Sequence, residues 1–296
     1  MSTTDQLNAP TLADAGPPGL DHGPGSIETI IRPSKGWIPV DWRELYNSRE
    51  LFDTLVFRDI KVRYKQTVLG IAWAVIQPLL TMVVFTVLFG RFPGVKTPGI
   101  PYALFVFAGL VPWTFFTNAV SGAGLSLVNQ QQLLTKIYFP RLFVPAAVVG
   151  AYLVDLAIGL MLFAVLLPFY HFTPSWWVLA LPLVVVLNFV AAFGVSLILA
   201  AMTILYRDLR FVIPFLMQIL MFASAVFYRP DNLPRPQQLA ASLNPMWGII
   251  GAYRASILGM PLDWASLAIS AASSAAMLWF GLNFFRKTER LFADIA

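Results

Sequence analysis

The pattern of hydrophobic and polar positions changes abruptly within residues 51–91. From Ser48 to Tyr64, apolar residues recur at offsets of three and four, as on one face of a helix. The members of this face are Leu51, Phe52, Leu55, Val56 and Ile60. An apolar run then follows with almost no linker. The pattern predicts an amphipathic helix on the membrane surface that leads directly into a membrane span.

Long apolar runs predict six membrane spans, because about 20 apolar residues cross the ~30 Å of hydrocarbon in a bilayer. The expected spans cover about residues 69–89, 101–121, 142–167, 176–205, 211–228 and 265–285. The stretch 237–258 is shorter and more polar, since it contains Asn244, Pro245 and Arg254. It predicts a pair of short re-entrant or interfacial helices. The expected fold is therefore an all-α integral membrane protein: an amphipathic interface helix, six transmembrane helices, and short re-entrant or periplasmic helices between spans five and six.

The rest of the chain divides around these spans. Residues 1–25 are rich in Gly, Pro, Asp, Thr and Ala and predict a disordered tail. They have neither the basic nor the apolar region of a signal peptide. Residues 26–66 are expected to form a cytoplasmic or interface segment, and residues 67–290 the transmembrane domain, with a re-entrant region at 229–262. Residues 291–296 are expected to be a cytoplasmic tail.

Composition and charge support a membrane protein with both termini in the cytoplasm. The chain is 58% hydrophobic and 12% charged, and its mean hydropathy is +0.70. Segments expected inside carry 15 Lys and Arg, whereas those expected outside carry 5, and basic residues favour the cytoplasmic side. A seventh span at 237–258 would move the basic C-terminal segment outside. The bias therefore favours six spans.

The sequence excludes several kinds of chemistry. It contains no cysteine and only two histidines, so neither a disulfide nor a metal centre is expected. The GxxxxGK[ST] phosphate-binding loop is absent, so we expect no ATP hydrolysis and no catalytic residue in this chain. Asp155 is the acidic residue expected deep in a span, and a lone acid gives little support for ion coupling. It either hydrogen-bonds a neighbouring helix or faces a polar conduit.

The spans are unusually aromatic, with 24 Phe, 9 Trp and 9 Tyr in the chain. Aromatic faces stack on the C–H faces of sugar rings without requiring one order of sugars. The alternative is lipid-facing belts and helix packing. The candidates for lining a glycan path are Trp73, Phe85, Trp113, Phe116, Phe215, Phe222 and Tyr228.

The run LVFRDIKVRYKQTVLGIAWAVIQPLL resembles the start of the permease subunit of polysaccharide-exporting ABC transporters, most closely the O-antigen exporters. Three further segments are similar to that family and occur in its order: NQQQLLTKIYFPR at 129–141, YRDLRFVIPFLMQILMFASAVFY at 206–228, and NPMWGIIGAYR at 244–254. The resemblance covers about residues 45–290.

The resemblance implies a homodimer in the bacterial inner membrane, bound to two separate ATP-binding subunits that hold ATP and Mg. It also implies an ATPase-coupling helix in the loop between spans two and three. The coupling candidates are Lys136, Tyr138, Phe139, Pro140 and Arg141. Aromatic rings suit an ATPase pocket, and Arg141 suits an acidic partner. The alternative is an ordinary basic cytoplasmic loop.

The interface helix would lie beside the entry portal for a glycan carried on undecaprenyl pyrophosphate. Candidates for contact with the diphosphate are Arg58, Lys61, Arg63 and Lys65. Phospholipid head groups and ATPase docking are the competing roles. The other cytoplasmic loop, with Arg207, Asp208 and Arg210, is expected to contact the ATPase or to pair locally.

The expected function is ATP-driven export of a lipid-linked polysaccharide, with lipid as a neighbour and no nucleic acid as a partner. Teichoic-acid, capsule and galactan exporters of the same family are the alternatives. A drug- or lipid-exporting ABC permease and a flippase that does not use ATP are more distant ones. The resemblance leaves the glycan open, and also whether the ATPase carries a carbohydrate-binding domain.

Overall fold

The structure is a computed structural model that describes residues 46–65, 71–90, 99–130, 139–229 and 233–289. All regular structure in these residues is helical, comprising ten α-helices and a 3-10 turn at Trp176–Ala180. In chain order the α-helices are α1 (Arg49–Lys65), α2 (Ile71–Phe89), α3 (Tyr102–Gly124), α4 (Ser126–Asn129), α5 (Phe143–Phe169), α6 (Leu181–Leu205), α7 (Leu209–Ala223), α8 (Arg235–Ala241), α9 (Pro245–Leu258) and α10 (Trp264–Glu289).

Five helices in the described residues are long and apolar enough to cross a membrane. They are α2, α3, α5, α6 with the preceding 3-10 turn, and α10. The span predicted at 211–228 corresponds to α7, which has 15 residues and a length of roughly 22 Å at 1.5 Å per residue. That is shorter than the ~30 Å of hydrocarbon. The integral membrane fold is confirmed, and the sixth span stays a prediction.

The centre of the bundle is α3. Most of its side chains are buried, and it contacts α2, α5, α6, α7 and α9. Phe105, Phe107 and Phe115 are among the largest fully buried side chains of the chain. A helix that is apolar on all sides fits only where other helices cover every face. The aromatic content of this span therefore serves the interior of the bundle.

Glycines allow α6 and α10 to approach very closely. A Cβ added at Gly194 would lie 2.6 Å from the backbone nitrogen of Leu278, and one added at Gly281 would lie 2.6 Å from the carbonyl oxygen of Gly194. Backbones in such contact leave no room for a larger side chain. Small residues at a helix interface are how membrane helices gain packing energy when water provides no hydrophobic drive. This pair forms the tightest described seam of the bundle.

The short helices predicted within 237–258 are confirmed as α8 and α9. Asn244 caps α9, because its side chain accepts a hydrogen bond of 3.1 Å from the Met246 amide, and Pro245 occupies the first helical position. Gly259 ends the helix at φ 68°, a conformation that glycine adopts easily. Nearly every residue of α9 is buried against α3, α6 and α10. It is therefore part of the core.

Arg254, one of the five basic residues counted in the segments expected outside, lies inside the bundle and not in an exposed loop. Its side chain is 3% exposed, and its guanidinium carbon lies 3.7 Å from the centre of the Phe105 ring. It donates hydrogen bonds of 2.9 Å to the carbonyl of Ala225 and 2.6 Å to that of Val226. Ala225 has φ 52°, which is strained for a residue with a Cβ. Arg254 thus binds the turn where α7 ends.

An ion pair connects the start of α8 to the start of α10. Arg235 donates hydrogen bonds of 2.6 and 3.0 Å to the two carboxylate oxygens of Asp263, and the Ser266 hydroxyl donates one of 2.5 Å. The Arg235 guanidinium, together with Ser266, lowers the pKa of Asp263 to about 2. This pair lies outside the membrane-spanning segments.

Two helices leave most of their apolar surface uncovered. Among the side chains that the structure describes, Met82 is the buried one in α2, and Ile213 and Met217 are the buried ones in α7. Isolated apolar residues on a surface need no explanation, but two whole helix faces do. In a membrane protein either lipid or another protein copy covers such faces.

The amphipathic helix predicted at 48–64 is present as α1, and the five residues of its predicted apolar face are buried or half-buried. It runs alongside the first part of α5. At one end, the rings of Phe52 and Phe143 lie 5.5 Å apart, and at the other end Arg63 binds Asp155. Positions 143 and 155 are separated by roughly 18 Å along a helix. Protein contacts, and not only lipid, therefore cover much of the apolar face of α1.

Candidate functional site

A cavity of about 600 Å³ lies between α1, α2, α3 and α5. The end of α1 and the beginning of α2 form one side of it, and the middle parts of α3 and α5 form the other. Its polar lining residues are Arg63, Tyr64, Gln77, Thr114, Asn118, Tyr152 and Asp155, and its aromatic carbon surface comes from Trp73 and Phe115. The volume lies within the roughly 300–1,000 Å³ that is typical of small-molecule sites.

Asp155 is the centre of the polar wall. Arg63 donates a hydrogen bond of 2.8 Å to one of its carboxylate oxygens, and the Tyr64 hydroxyl donates to the other. Burial, followed by this bond to Asp155, raises the pKa of the Tyr64 phenol well above its usual value. The carboxylate therefore holds two side chains of α1 against α5. The first of the two roles considered for Asp155, a hydrogen bond to a neighbouring helix, is what the structure shows, and the residue also lines the cavity.

The Arg63 guanidinium is enclosed on a second side by an aromatic ring. Its central carbon lies 3.5 Å from the centre of the Tyr152 ring, well within the distance for a cation–π contact. Tyr152 precedes Asp155 by one turn of α5, so both contacts come from the same helix face. The charge of Arg63 is thus matched inside the protein by a carboxylate and a ring face.

The cavity extends along the first half of α2 and the middle of α3 and α5. With 19 residues, α2 is roughly 28 Å long, so it needs its whole length to cross the hydrocarbon. Trp73 is close to its first residue and lines the same cavity as Asp155. Sequence patterns place Asp155 deep in a span, and in the structure it lies at the middle of the 27-residue helix α5.

The four basic residues predicted to meet a diphosphate fall into two groups. Arg58 binds Asp59 and donates a hydrogen bond of 2.7 Å to Gln130, and Arg63 binds Asp155. Lys61 and Lys65 are exposed and make no ion pair within the described residues. The contact with a diphosphate stays a prediction, and the two lysines are the members with an unmatched charge.

Of the five predicted coupling residues, Lys136 and Tyr138 lie outside the described residues. Pro140 accepts a hydrogen bond from the Phe143 amide at the start of α5, and Arg141 donates one of 2.8 Å to the carbonyl of Glu289. Phe139 does not present an exposed ring: it is 8% exposed and packs in a core cluster with Leu55 and Phe143. Its ring thus fixes the loop to its own bundle, and contact of this loop with an ATPase stays a prediction.

The exposed aromatic candidates lie on α2 and α7. Trp73, Phe215 and Phe222 are 52%, 65% and 53% exposed. Phe85 stacks on Phe227 with ring centres 3.7 Å apart, and Phe222 lies 5.9 Å from the same ring. The Phe227 ring therefore joins α2 to the turn that follows α7.

The other aromatic candidates are covered by the protein. Trp113 and Phe116 of α3 are 4% and 3% exposed, and they contact each other with ring centres 5.7 Å apart. Tyr228 packs edge-on against Trp247 of α9. In this conformation Trp113 and Phe116 belong to the core, so the case for a glycan path depends on the exposed rings of α2 and α7.

Sequence reasoning did not identify most of the polar residues of the cavity. Tyr64, Gln77, Thr114, Asn118 and Tyr152 were not singled out. Two of these residues carry a signal that the sequence does offer: Gln77 and Asn118 are amides within apolar runs. Polar groups are costly in hydrocarbon, so an amide in a span indicates a polar partner or a cavity. As for metals, no group of three or more His, Asp or Glu in the described residues could hold an ion.

Comparison with known proteins identifies the family. Residues 50–258 match the family model described as "ABC-2 type transporter". The match extends from the first turn of α1 to the last residue of α9, so it includes the cavity, the exposed faces of α2 and α7 and the buried α9.

Curated relatives are covered almost from end to end. The chain is 32% identical over 255 residues to the O-antigen export system permease protein RfbA of Myxococcus xanthus, covering 85% of this chain and 97% of that one. A protein of the same name from Klebsiella pneumoniae is 28% identical, with coverage of 84% and 97%. The polysialic acid transport protein KpsM of Escherichia coli is 22% identical, with coverage of 80% and 93%. These matches confirm the resemblance to polysaccharide-export permeases: the chain belongs to the ABC-2 type transporter family and is a multi-pass membrane protein.

Proposed function

We propose that this chain is the membrane-spanning subunit of an ATP-driven exporter that moves a lipid-linked polysaccharide, of the O-antigen type, across the bacterial inner membrane. The observation that carries the proposal is the similarity to two O-antigen export permeases over 97% of their length. Likeness over so much of a protein includes the parts that contact cargo as well as the scaffold.

The working assembly in this proposal is a homodimer with two separate ATP-binding subunits on the cytoplasmic side, where both termini lie. ATP and Mg are bound by those subunits, since the sequence of this chain has no phosphate-binding loop. The uncovered faces of α2 and α7 support a dimer, because a second copy would bury apolar surface that the monomer leaves open.

The path for the glycan runs along those two helices. Trp73, Phe215 and Phe222 offer ring faces outside the core of the monomer. Stacking on rings tolerates different sugars, which suits a polymer that passes through without being read. Closure of the ATPase pair on nucleotide would shift the loop before α5, and the α2 and α7 helices of the two copies would then part.

The carrier diphosphate would be met at Lys61 and Lys65. These residues are exposed near the end of α1, and their charges are not matched by acidic groups in the described residues. Lysine binds phosphate as a compact point charge. Arg58 and Arg63 support the helix through their own internal pairs.

Capsule-type polysaccharide is the second candidate cargo. The specific observation in its favour is the match to the polysialic acid transport protein KpsM over 93% of that protein. The two cargoes share the same permease architecture in this proposal, and they differ in the glycan and its lipid anchor.

Reconstitution with a cognate ATP-binding subunit tests the function. Proteoliposomes should show ATP hydrolysis that rises with a lipid-linked O-antigen, and outward movement of that glycan. If ATPase activity responds instead to a lipid-anchored capsular glycan, the second candidate holds. If no ATPase subunit associates with the purified chain, the whole proposal is wrong.

Two paired sets of variants test the parts of the mechanism. Phe215→Ala together with Phe222→Ala should reduce export several-fold, whereas Phe280→Ala, an exposed ring on α10, should not. Equal export from the two variants would contradict the path along α7. Alanine at Lys136 and Arg141 should leave the protein expressed but uncouple ATP hydrolysis from export. Normal export from that variant would contradict a coupling role for the loop.

A further inference from the structure

We propose that the cavity between α1, α2, α3 and α5 is a binding site for a neutral, hydroxyl-rich head group, namely the first sugar rings of a lipid-linked glycan. The chemistry of the cavity stands on its own residues. Only the identification of the natural ligand as a lipid-linked glycan rests on the proposed function. No relative's name assigns a ligand to this cavity.

Unengaged polar side chains are the first observation. Within the described residues, the side chains of Gln77, Thr114 and Asn118 make no hydrogen bond to protein, although all three line the cavity. Polar groups at membrane level are costly unless they are paired. Two amides and a hydroxyl supply both donors and acceptors, which is what the hydroxyls of a sugar require.

Ring surface is the second observation. The side chain of Trp73 is 52% exposed and stands at the cavity, where the rings of Tyr64 and Tyr152 are also lining residues, whereas Phe115, 1% exposed, is packed into the wall of α3. A sugar ring has apolar C–H faces and polar edges. A site with aromatic carbon on one side and amides and hydroxyls on the other matches that division.

Charge excludes the obvious alternative, a phosphate. The Arg63 guanidinium is already bound to Asp155 at 2.8 Å and covered by the Tyr152 ring. A phosphate entering the cavity would gain no unmatched cation and would meet the Asp155 carboxylate. The Arg63 guanidinium and the Asp155 carboxylate can still bind a neutral ligand. The guanidinium has N–H donors and the carboxylate has lone pairs beyond those used in their own pair.

Position completes the argument. The cavity extends along the first half of α2, from Trp73 to Pro78, and reaches the last turn of α1 at Arg63 and Tyr64. The exposed Lys65 follows the cavity residues Arg63 and Tyr64 directly in sequence. A carrier could therefore place its diphosphate at the lysines and its first sugars in the cavity.

The test uses the full chain in lipid nanodiscs, without the ATPase subunit. Binding of radiolabelled octyl glucoside, below its micelle-forming concentration, is compared with that of octyl phosphocholine, which has the same tail and a phosphate head. Asn118→Leu and Trp73→Leu should each weaken glucoside binding by about fivefold, the effect of losing one net hydrogen bond or ring contact. Trp176→Leu is the matched control, because Trp176 is 69% exposed and lies on the 3-10 turn, outside the cavity.

Thr114→Val keeps the shape of the side chain and removes only its hydroxyl, so it reports on the site even if a larger change disturbs folding. Unchanged glucoside binding in Thr114→Val and Trp73→Leu would overturn the proposal, as would preferential binding of octyl phosphocholine. Because export is not measured, the site and the exporter can fail separately. If the wild type binds glucoside and the cavity variants lose that binding, but the separate reconstitution shows no glycan export, the site stands and the export function is refuted. If the reconstituted protein exports glycan but the cavity variants bind glucoside like the wild type, the export function stands and the site is refuted.

Discussion

Replacing Arg254 with methionine should release the turn that follows α7. The change keeps an apolar stem of similar length and removes the hydrogen bonds of 2.6 and 2.9 Å to the carbonyls of Val226 and Ala225. Each bond from a charged donor contributes about 1.5–3 kcal/mol, so roughly 3–6 kcal/mol of support is lost. Ala225 needs that support, because its φ of 52° costs about 1–2 kcal/mol for a residue with a Cβ.

The expected result is a fall in unfolding temperature on the order of 10 °C, measured by fluorescence in detergent. The stack of Phe227 on Phe85 should loosen as well, since the residue before Phe227 accepts the stronger bond. Arg254→Lys keeps the charge but cannot reach both carbonyls as a fork, so it should lose about half as much stability.

Arg207→Met is the matched control, because Arg207 is exposed in the loop before α7. It should leave the unfolding temperature unchanged. If Arg254→Met unfolds within about 2 °C of the wild type, the turn does not depend on the guanidinium and the reasoning is refuted.

Three further outcomes are expected. Gly194→Ala should destabilise the protein by about 1–3 kcal/mol, because the added Cβ would lie 2.6 Å from backbone. Gly251→Ala is the control, since its Cβ would have no atom within 4 Å, and it should not destabilise the protein. Equal unfolding temperatures of the two variants would contradict the close contact of α6 and α10. Asp263→Asn should cost stability at neutral pH, and its difference from the wild type should shrink as pH falls from about 4 to about 2. The sign follows from the lowered pKa of about 2: the ionised form contributes stability above the ordinary pKa, and that contribution is lost as the carboxylate is protonated. Asp155→Asn should speed amide hydrogen exchange in α1, because it leaves the Arg63 guanidinium without its carboxylate partner. Adding Arg63→Gln should partly restore protection, because it removes the unpaired charge. Unchanged exchange in Asp155→Asn would show that apolar contacts alone hold α1 against α5.

Sequence patterns predict the long helices well because the bilayer imposes their length. The runs at 69–89 and 142–167 correspond to α2 (Ile71–Phe89) and α5 (Phe143–Phe169) within two residues at each end. Backbone groups in hydrocarbon must be satisfied inside the helix, so an apolar run of this length has few other conformations available. Signals for the short helix were equally local, since Asn244, Pro245 and Gly259 occupy its ends.

The end of α7 shows where local signals are insufficient. The apolar run predicts helix up to Tyr228, whereas the helix ends at Ala223 and a turn with a strained Ala225 follows. Residues 224–228 contain no proline or glycine to announce this break. The carbonyls of Ala225 and Val226 have no partner within a helix, and they accept hydrogen bonds from the Arg254 guanidinium of α9. Only the tertiary fold brings α9 next to this turn.

The cavity was unpredictable for a similar reason. Arg63 and Asp155 are 92 residues apart, and each appeared in the sequence as a single charge with several possible partners. Arg63 looked like a ligand for phosphate because its neighbours in sequence are basic. The structure pairs it across helices with Asp155, and this pairing is the reason why we propose a neutral ligand for the cavity.

The distribution of burial indicates which parts of the chain can move during transport. Glycine contacts fix α6 against α10, and α3 and α9 are buried on nearly all sides, so shifting any of them would break close packing. In contrast, α2 and α7 bury few side chains. Elements with little buried contact are the ones that move at low cost in free energy. A polymer path needs walls that can separate while the core stays folded, and α2 and α7 are the described helices that meet this condition and also expose aromatic rings.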